Sequence, residues 1–238
     1  MLGQNNPLFM FNSIKSPQSP EQTMGKNYSM TFFGKVMAFF TLAIAASLVG
    51  TFVAYNYLLM YFVTMPWLMW ALFAVEIAII FTSKKWREHS PLNKIIFASF
   101  AFLTGLTIAP LIAVVAASYG GVMIIIKALS ATVLTFAAAA LFGWRTEINL
   151  SGMRGFLMIG IVGLIITGVL GIFFPWGNTM ELVYSGFGVL LFTGFTMYDF
   201  QRIKRYPENM YIEAALALYL DIFNLFLFIL RLMMANRD

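Results

Sequence analysis

Long stretches without charge dominate this sequence. No charged residue lies between Lys35 and Glu76, and none lies between Lys94 and Lys127. A helix crosses the hydrocarbon core of a bilayer with about 20 apolar residues, so each stretch is long enough for more than one crossing. Hydrophobic residues make up 61% of the chain and charged residues 11%, whereas soluble domains average about 25% charged residues. The sequence therefore predicts an all-α integral membrane protein and excludes the soluble classes.

Turn-forming residues divide these stretches into seven predicted transmembrane helices. Breaks are expected at Asn56 and Pro66, between Ser118 and Gly121, and at Pro175, because such residues favour turns over helix interiors. Pro66 also suits the first turn of the helix that follows it. The predicted helices cover residues 36–57, 66–83, 94–117, 122–143, 155–174 and 180–200, and the last runs from just after 207 to about 233.

The first 31 residues differ from the rest of the chain. They are rich in Asn, Ser, Gln and Pro and have no apolar stripe, which is typical of disordered segments. We therefore expect residues 1–31 to be a disordered cytoplasmic tail and residues 32–238 to form one seven-helix transmembrane domain.

The residue types that most often hold cofactors are scarce. The chain has no cysteine and a single histidine, His89, so disulfides, thiolate metal sites and histidine metal cages are excluded. No cofactor is expected. The net charge of +5 does not indicate nucleic-acid binding, because no soluble basic module is present to carry it.

Basic residues are distributed unevenly between the two predicted sides of the membrane. Twelve of the fifteen Lys and Arg residues fall on one side if the chain crosses seven times, and Lys127, Arg231 and Arg237 fall on the other. Cytoplasmic loops retain Lys and Arg, so the N-terminus is predicted to be cytoplasmic and the C-terminus to be outside. The tail lacks eukaryotic targeting signals, which favours the plasma membrane of a bacterium, its inner membrane.

Three carboxylates lie inside the predicted helices. Glu76 is in the second, Asp199 in the sixth and Asp221 in the seventh. Insertion of an ionisable group into a membrane is costly, so each is a functional candidate by default, with a purely structural hydrogen-bonding role as the alternative.

Helical geometry groups further polar residues with these carboxylates. At about 100° per residue, Arg87 lies only about 20° round the second helix from Glu76, and Ser83 shares that face. A polar stripe on the seventh helix falls within an arc of about 80°; it consists of Glu213, Ala217, Asp221, Asn224, Phe228 and Arg231. Such a stripe cannot face lipid. We therefore expect the seventh helix to be enclosed by the other six, with Glu76, Glu213 and Asn224 as candidates for lining a polar path.

Four segments resemble the transmembrane Bax inhibitor motif family, also called the Bax inhibitor-1 family. They are Val75–Ile80, Leu103–Pro110, Met197–Ile203 (Met-Tyr-Asp-Phe-Gln-Arg-Ile) and Ala215–Phe226 (Ala-Leu-Ala-Leu-Tyr-Leu-Asp-Ile-Phe-Asn-Leu-Phe). The resemblance covers the chain from about residue 33 to its end. It implies seven transmembrane helices with the seventh enclosed by the others.

The resemblance also implies a function and a site. It identifies Asp199 and Asp221 as a paired pH sensor and ion site, Arg87 as a latch on one of them, and Glu76 as the mid-membrane glutamate of the family. Family members act as proton-sensitive calcium leak pathways. We therefore expect calcium ions and protons to be the ligands of this protein, with Arg87 paired to Asp199 when the path is closed.

The chemistry of two adjacent aspartates agrees with this expectation. Two carboxylates close together in a poorly solvated place cannot both ionise cheaply, so they tend to share a proton. When both are ionised they offer hard oxygen ligands, but calcium takes 6–8 oxygens. Asp199 and Asp221 are therefore expected to bind calcium only weakly, which suits a leak.

Three alternatives come from other classes of protein. Intramembrane aspartyl proteases also place Tyr-Asp on one helix and Asp on the next, but their Gly-x-Gly and Pro-Ala-Leu motifs are missing from this chain, so an enzyme is not expected. A cation/proton exchanger would use the same acids, but no inverted repeat is evident. A non-transporting regulator that binds a membrane-protein partner, such as a membrane protease, is the main alternative.

Overall fold

The computed structural model of the 238-residue chain describes residues 20–118 and 121–236, with side chains from residue 31. Over these residues it consists of helices joined by short turns and contains no strand. The nine α-helices are α1 (Pro20–Val53), α2 (Leu59–Thr64), α3 (Pro66–Phe81), α4 (Ser83–Trp86), α5 (Leu92–Ala117), α6 (Val122–Arg145), α7 (Met153–Phe173), α8 (Asn178–Ile203) and α9 (Tyr211–Ala235). A π-helical turn, Ala54–Leu58, joins α1 to α2, and single 3₁₀ turns, Leu150–Gly152 and Glu208–Met210, precede α7 and α9.

Six of these helical segments are long and apolar enough to cross a membrane. They are Thr31–Thr64, Leu92–Ala117, Val122–Arg145, Leu150–Phe173, Asn178–Ile203 and Glu208–Ala235. The predicted second span corresponds to α3, which has only 16 residues and, at about 1.5 Å per residue, is shorter than a hydrocarbon core of roughly 30 Å.

Two boundaries at the start of the chain differ from those predicted. The helix α1 begins at Pro20, so residues 20–31 of the predicted disordered tail are helical, whereas residues 1–19 lie outside the described residues. The predicted break at Asn56 is absent, because the Asn56 side-chain amide donates to the carbonyl of Phe52 at 2.8 Å within a π-helical turn. The chain turns instead at Met65, and Pro66 occupies the first turn of α3 as predicted.

Packing places α9 near the middle of the bundle. It lies against α1, α5, α6 and α8, while α3 packs mainly on α5 and α7 mainly on α8. About half of the most apolar stretch of α5 and of α9 is buried, far more than in α7. Enclosure of α9 by all six other helices is therefore not confirmed.

Glycines allow the closest helix crossings. A Cβ atom at Gly105 of α5 would collide with the backbone of Ser47 in α1, and one at Gly143 of α6 would collide with the backbone of Met197 in α8. Small residues of this kind let membrane helices approach closely without a hydrophobic driving force.

The loops that carry the basic residues meet at one end of the bundle, which we call the basic end. The Lys204 ammonium group donates to the carbonyl of Trp144, and Arg205 donates to the Ser151 hydroxyl at 3.1 Å. At the same end Lys35 lies 5.8 Å from the centre of the Tyr211 ring. Among the described residues, basic residues that the sequence assigned to one side of the membrane, including Lys35, Lys204 and Arg205, therefore lie at the same end of the bundle.

Single-cysteine labelling tests the predicted orientation, because the chain has no cysteine of its own. His89 lies in the exposed loop at the basic end, and Asn178 is the exposed first residue of α8 at the opposite end. In intact cells a membrane-impermeant maleimide should label Asn178→Cys and should reach His89→Cys only after lysis. The reverse pattern would show that the orientation is inverted, and equal labelling of both would contradict an odd number of crossings between them.

Candidate functional site: buried carboxylates on α8 and α9

The close packing of α8 on α9 brings the two predicted aspartates together. Asp199 and Asp221 are 7% and 4% exposed, and they lie close enough for their charges to interact. Because each adjoins a second carboxylate in a poorly solvated place, ionisation of one disfavours ionisation of the other.

The two aspartates differ in their surroundings. Asp199 has an arginine on its own helix, since Arg202 Nη1 lies 4.0 Å from Asp199 Oδ1. The Asp221 Oδ2 atom is buried without a hydrogen-bond partner among the described residues. A buried polar atom without a partner carries a desolvation cost of about 1–3 kcal/mol, and more if it is charged. Asp221 is therefore the group in this pair that gains most from a proton or a cation.

The structure does not pair Arg87 with Asp199, the partner expected from the sequence for the closed path. Arg87 Nη1 lies 2.9 Å from Glu213 Oε2, and it forms no ion pair with Asp199 among the described residues. Arg87 pairs with Glu213 because the two residues lie at the same level of the bundle. Arg87 directly follows α4 at the basic end, and Glu213 lies in the first turn of α9 at that end. Asp199 lies one turn inside α8, where Arg202 occupies the i+3 position.

Glu213 joins the two arginines. Arg202 Nη2 lies 3.7 Å from Glu213 Oε1, while Arg87 approaches the other oxygen of the same carboxylate. Asp199, Arg202, Glu213 and Arg87 thus form a row of alternating charges from the buried pair to the basic end. From the sequence, Arg202 was counted only among the basic residues of the loops, although its i+3 spacing from Asp199 on a helix predicts an ion pair.

The contact between Arg87 and Glu213 is close but poorly directed. Neither Arg87 Nε nor Glu213 Oε2 makes a hydrogen bond of good geometry within the described residues, although Nη1 and Oε2 are 2.9 Å apart. The side chains are 25% and 17% exposed, respectively, so water screens this ion pair only in part. It is an attraction between charges that can be broken without the loss of a strong directional bond.

A cavity of about 180 Å³ adjoins these charges at the basic end. Arg87, Arg202, Tyr206 and Glu213 supply its polar lining, and Leu220 lies one residue before Asp221 in its wall. The Tyr206 ring lies 4.6 Å from the Arg202 guanidinium, and its hydroxyl is buried without a hydrogen-bond partner among the described residues. Burial raises the pKa of Tyr206, an effect that Arg202 opposes, so Tyr206 is neutral near neutral pH.

Glu76 belongs to a separate polar network. It is buried in α3 and accepts a hydrogen bond from the Thr107 hydroxyl of α5 at 2.9 Å. Thr107 donates also to the carbonyl of Thr104, whose hydroxyl is hydrogen-bonded to the Tyr219 hydroxyl of α9. Hydroxyl groups therefore link α3, α5 and α9, and none of these three hydroxyl residues was among the predicted site residues.

The predicted shared face of Glu76, Ser83 and Arg87 is not formed. The helix breaks at Thr82, which separates α3 from α4, and the angular relation calculated for one continuous helix no longer holds. Ser83 and Arg87 line the cavity at the basic end, whereas Glu76 faces α5.

The remaining candidates are placed as follows. Asn224, half-buried in α9, donates to the carbonyl of Leu220 at 2.8 Å and so satisfies its amide within its own helix.

No group of three or more His, Asp or Glu residues converges on a potential metal site within the part of the chain that the structure describes. Asp199 and Asp221 could therefore offer a cation the oxygens of two carboxylates, with the remaining ligands from carbonyls or water.

Fold and site together define a polytopic helical membrane protein with carboxylates buried between its helices. The profile of the family described as "Inhibitor of apoptosis-promoting Bax1" matches residues 29–238. The chain therefore belongs to the Bax inhibitor-1 family, as its motifs predicted.

Curated relatives occur in several kinds of organism. An uncharacterized protein of Campylobacter jejuni is 32% identical over 90% of this chain and 91% of its own length. Bax inhibitor 1 of Schizosaccharomyces pombe is 29% identical over 92% of this chain and 83% of its own length. The Golgi anti-apoptotic protein of vaccinia virus is 33% identical over 66% of this chain and 65% of its own length.

A double-mutant cycle tests the observed partner of Arg87. Arg87→Gln and Glu213→Gln should each lower the stability, and the double variant should lose less than the sum of the two. A coupling of about 1 kcal/mol is expected for a partly exposed ion pair. The measurement is thermal or denaturant unfolding of the purified protein in detergent. The matched cycle of Arg87→Gln with Asp199→Asn should give a smaller coupling, and a larger one would restore the latch predicted from the sequence.

A second prediction concerns the hydroxyl network. Thr107→Val removes the donor to buried Glu76 and should destabilise the protein by about 1–3 kcal/mol, since the carboxyl group is left without its partner. Thr107→Ser keeps the hydroxyl and serves as the control. Equal melting temperatures for the Val and Ser variants would show that the hydrogen bond contributes nothing to stability.

Proposed function

We propose that this protein is a pH-sensitive calcium leak pathway in the plasma membrane, with Asp199 and Asp221 as its ion and proton site. The observation that carries the proposal is the buried, unpartnered oxygen of Asp221 beside a second carboxylate. An ionisable pair inside a membrane bundle is costly to retain, and such groups mark ion paths and proton relays. The resemblance of the Asp-containing segments to those of proton-sensitive calcium leaks supports the same assignment.

Calcium is a suitable ion for this pair. Its oxygen preference fits carboxylates, and the two aspartates provide fewer than the 6–8 ligands that it takes. Water and backbone carbonyls complete the shell, so binding is weak and the ion can leave again. Weak binding is a requirement for conduction, because a tightly held ion blocks the path. Calcium is thus the permeant ion and not a resident cofactor.

The row of charges at the basic end acts as the closure. Arg202 competes with calcium for Asp199, because both are attracted to the same carboxylate. The Arg87 guanidinium is close to Glu213 and places a second positive charge at the mouth of the cavity, where it repels an entering cation. Separation of Arg87 from Glu213 would leave a carboxylate at the mouth in place of an ion pair and would favour cation entry.

The pH response is assigned to the aspartate pair. The charged and titratable groups that face it are Arg202, Glu213 and Tyr206, with Arg87 one step further out. Arginine stays charged in proteins, and burial keeps Tyr206 neutral near neutral pH. Protons and calcium then compete for the same oxygens, so protonation of the pair weakens divalent binding.

We also propose that the chain crosses the membrane seven times, with α3 and α4 together forming the short crossing. The 16 residues of α3 and the 4 residues of α4 have lengths of about 24 Å and about 6 Å at about 1.5 Å per residue, and the two lengths together approach the hydrocarbon core of a bilayer, roughly 30 Å. The twelve basic residues then lie on the cytoplasmic side, together with the N-terminus, and the C-terminus lies outside. In this arrangement Arg87, at the end of α4, meets Glu213 at the start of α9.

Calcium flux into liposomes that contain only the purified protein tests the proposal. The wild type should pass calcium above the level of empty vesicles, and its rate measured from about pH 5.5 to about pH 8 should change with pH, because protons and calcium compete for the same carboxylates. Arg87→Ala should raise the flux several-fold, because the closure is lost, and should keep the pH dependence, because the aspartate pair is intact. Asp221→Asn should lower the flux, because an amide offers calcium one neutral oxygen.

The matched control is Glu147→Gln. Glu147 is an exposed carboxylate at the basic end that takes no part in the row of charges, so its removal should leave flux unchanged. Equal flux from wild type, Arg87→Ala and Asp221→Asn, no greater than from empty vesicles, would contradict the channel. That result would favour the alternative, a non-transporting regulator that binds a membrane-protein partner.

A further inference from the structure

A second cavity, of about 350 Å³, lies between α1, α5, α6 and α9. We call it the lateral cleft. Its volume falls within the roughly 300–1,000 Å³ of small-molecule sites. The four α9 residues that form its floor are Tyr219, Ile222, Phe223 and Phe226. They lie about 100–200° round the helix from Asp221, so the lateral cleft is on the opposite face of α9 from the aspartate pair.

The lateral cleft opens sideways between α1 and α6. Leu48 of α1 is 61% exposed, and Leu129 and Val133 of α6 are 44% and 58% exposed, so its rim faces the surroundings of the bundle. Its floor is closed, because Tyr219 is only 1% exposed. These helices have the length and composition of membrane spans, so hydrocarbon chains surround the opening.

The chemistry of the wall excludes a polar occupant. Ten of the fourteen lining side chains are apolar. The hydroxyls of Ser47, Thr51 and Thr132 each donate to a backbone carbonyl at 2.7 to 3.2 Å, and the Tyr219 hydroxyl is bonded to Thr104. A buried water needs about three hydrogen-bonding partners, and because these hydroxyl protons are already engaged, the wall offers it only a few hydroxyl oxygens as acceptors.

The geometry points to one acyl chain of a bilayer phospholipid as the occupant of the lateral cleft. The phospholipid headgroup would stay at the membrane surface. A carboxylate drawn into the cleft would need a cation or a free donor there, and the lining provides neither, so the polar end of an occupant stays outside, and bilayer phospholipid is the source of acyl chains that surrounds the opening. At the end nearer the basic end, the rings of Phe40 and Phe136 stack at 5.6 Å and close the space between α1 and α6. A chain entering sideways would therefore end at this pair.

Photo-crosslinking tests the occupant without any need for a variant. The full-length protein is placed in nanodiscs that contain a phospholipid with a diazirine on its acyl chain, and labelled peptides are identified by mass spectrometry. Label is expected on Tyr219–Phe226, whose side chains are buried or half-buried and out of reach of lipids that merely surround the bundle. Label confined to the outward residues of α6 and α7, with none on Tyr219–Phe226, would overturn the proposal.

A matched pair of variants tests the entry route. Leu129→Trp with Val133→Trp fills the rim from two positions one turn apart, and it should lower the label on Tyr219–Phe226 several-fold. Ser130→Trp with Leu134→Trp adds the same bulk to the same helix at exposed positions outside the cleft lining, and the label should persist. Equal labelling in both double variants would contradict a lateral entrance at this rim.

The same experiment with a diazirine-bearing free fatty acid separates the two sources of an acyl chain. The phospholipid probe should label Tyr219–Phe226 in every preparation in which the free acid does. Labelling by the free acid alone would overturn the assignment to a bilayer phospholipid. The outcome is independent of the proposed calcium function, because the readout is the position of the label and no ion flux is measured.

Discussion

A carboxylate in a membrane helix must be kept away from lipid, and in this protein α8 and α9 shield each other's aspartates. Asp199 and Asp221 are both nearly fully buried on helices that pack closely together. The packing of α8 on α9 therefore shields two carboxyl groups from lipid in addition to burying apolar side chains. Separation of α8 from α9 would expose a carboxyl group to hydrocarbon, at a cost of several kcal/mol. The position of α9, and with it that of every helix that packs on α9, follows from this constraint.

Two different kinds of polar contact extend from α9 to the outer helices. At the basic end the contacts are ionic, since Glu213 attracts both Arg87 and Arg202, and water reaches them in part. Deeper in the bundle they are made by hydroxyls, from Tyr219 through two threonines to Glu76. Ionic contacts near water can be rearranged cheaply, whereas a buried hydrogen bond leaves an unpaired group when it breaks. The ion pairs of Glu213 near the surface can therefore exchange partners more easily than the hydroxyl hydrogen bonds between Tyr219 and Glu76 in the interior.

The sequence was sufficient for most of the apolar helices and for identifying the buried aspartates, but not for every helix boundary or for the partner of Arg87. Apolar length sets the number and limits of the helices, because a lipid-exposed backbone must bond to itself. Asp199 and Asp221 were found because a carboxylate stands out in an apolar run. The ion-pair partner of Arg87 was harder to predict. The angle between Glu76 and Arg87 was calculated for one continuous helix, but the helix is interrupted at Thr82. Asn56 was taken as a break because asparagine favours turns, whereas here its side-chain amide bonds to the carbonyl of Phe52 and the chain stays helical through a π-helical turn.

The central helix α9 has two faces of opposite chemistry, and its position affects both. The face with Asp221 meets α8 through carboxylates, while the opposite face, with Tyr219 and Phe223, forms the floor of an apolar cavity open to the side. A cavity is an unfilled volume, and the helix beside it can move into that volume at less cost than into a packed neighbour. A hydrocarbon chain in the cavity would restrain α9 against α8, while an empty cavity would let α9 move away from Asp199. Because the interaction between two carboxylates depends on their separation, any such movement would alter how the pair shares its proton. The packing of one face of α9 therefore bears on the electrostatics of the other.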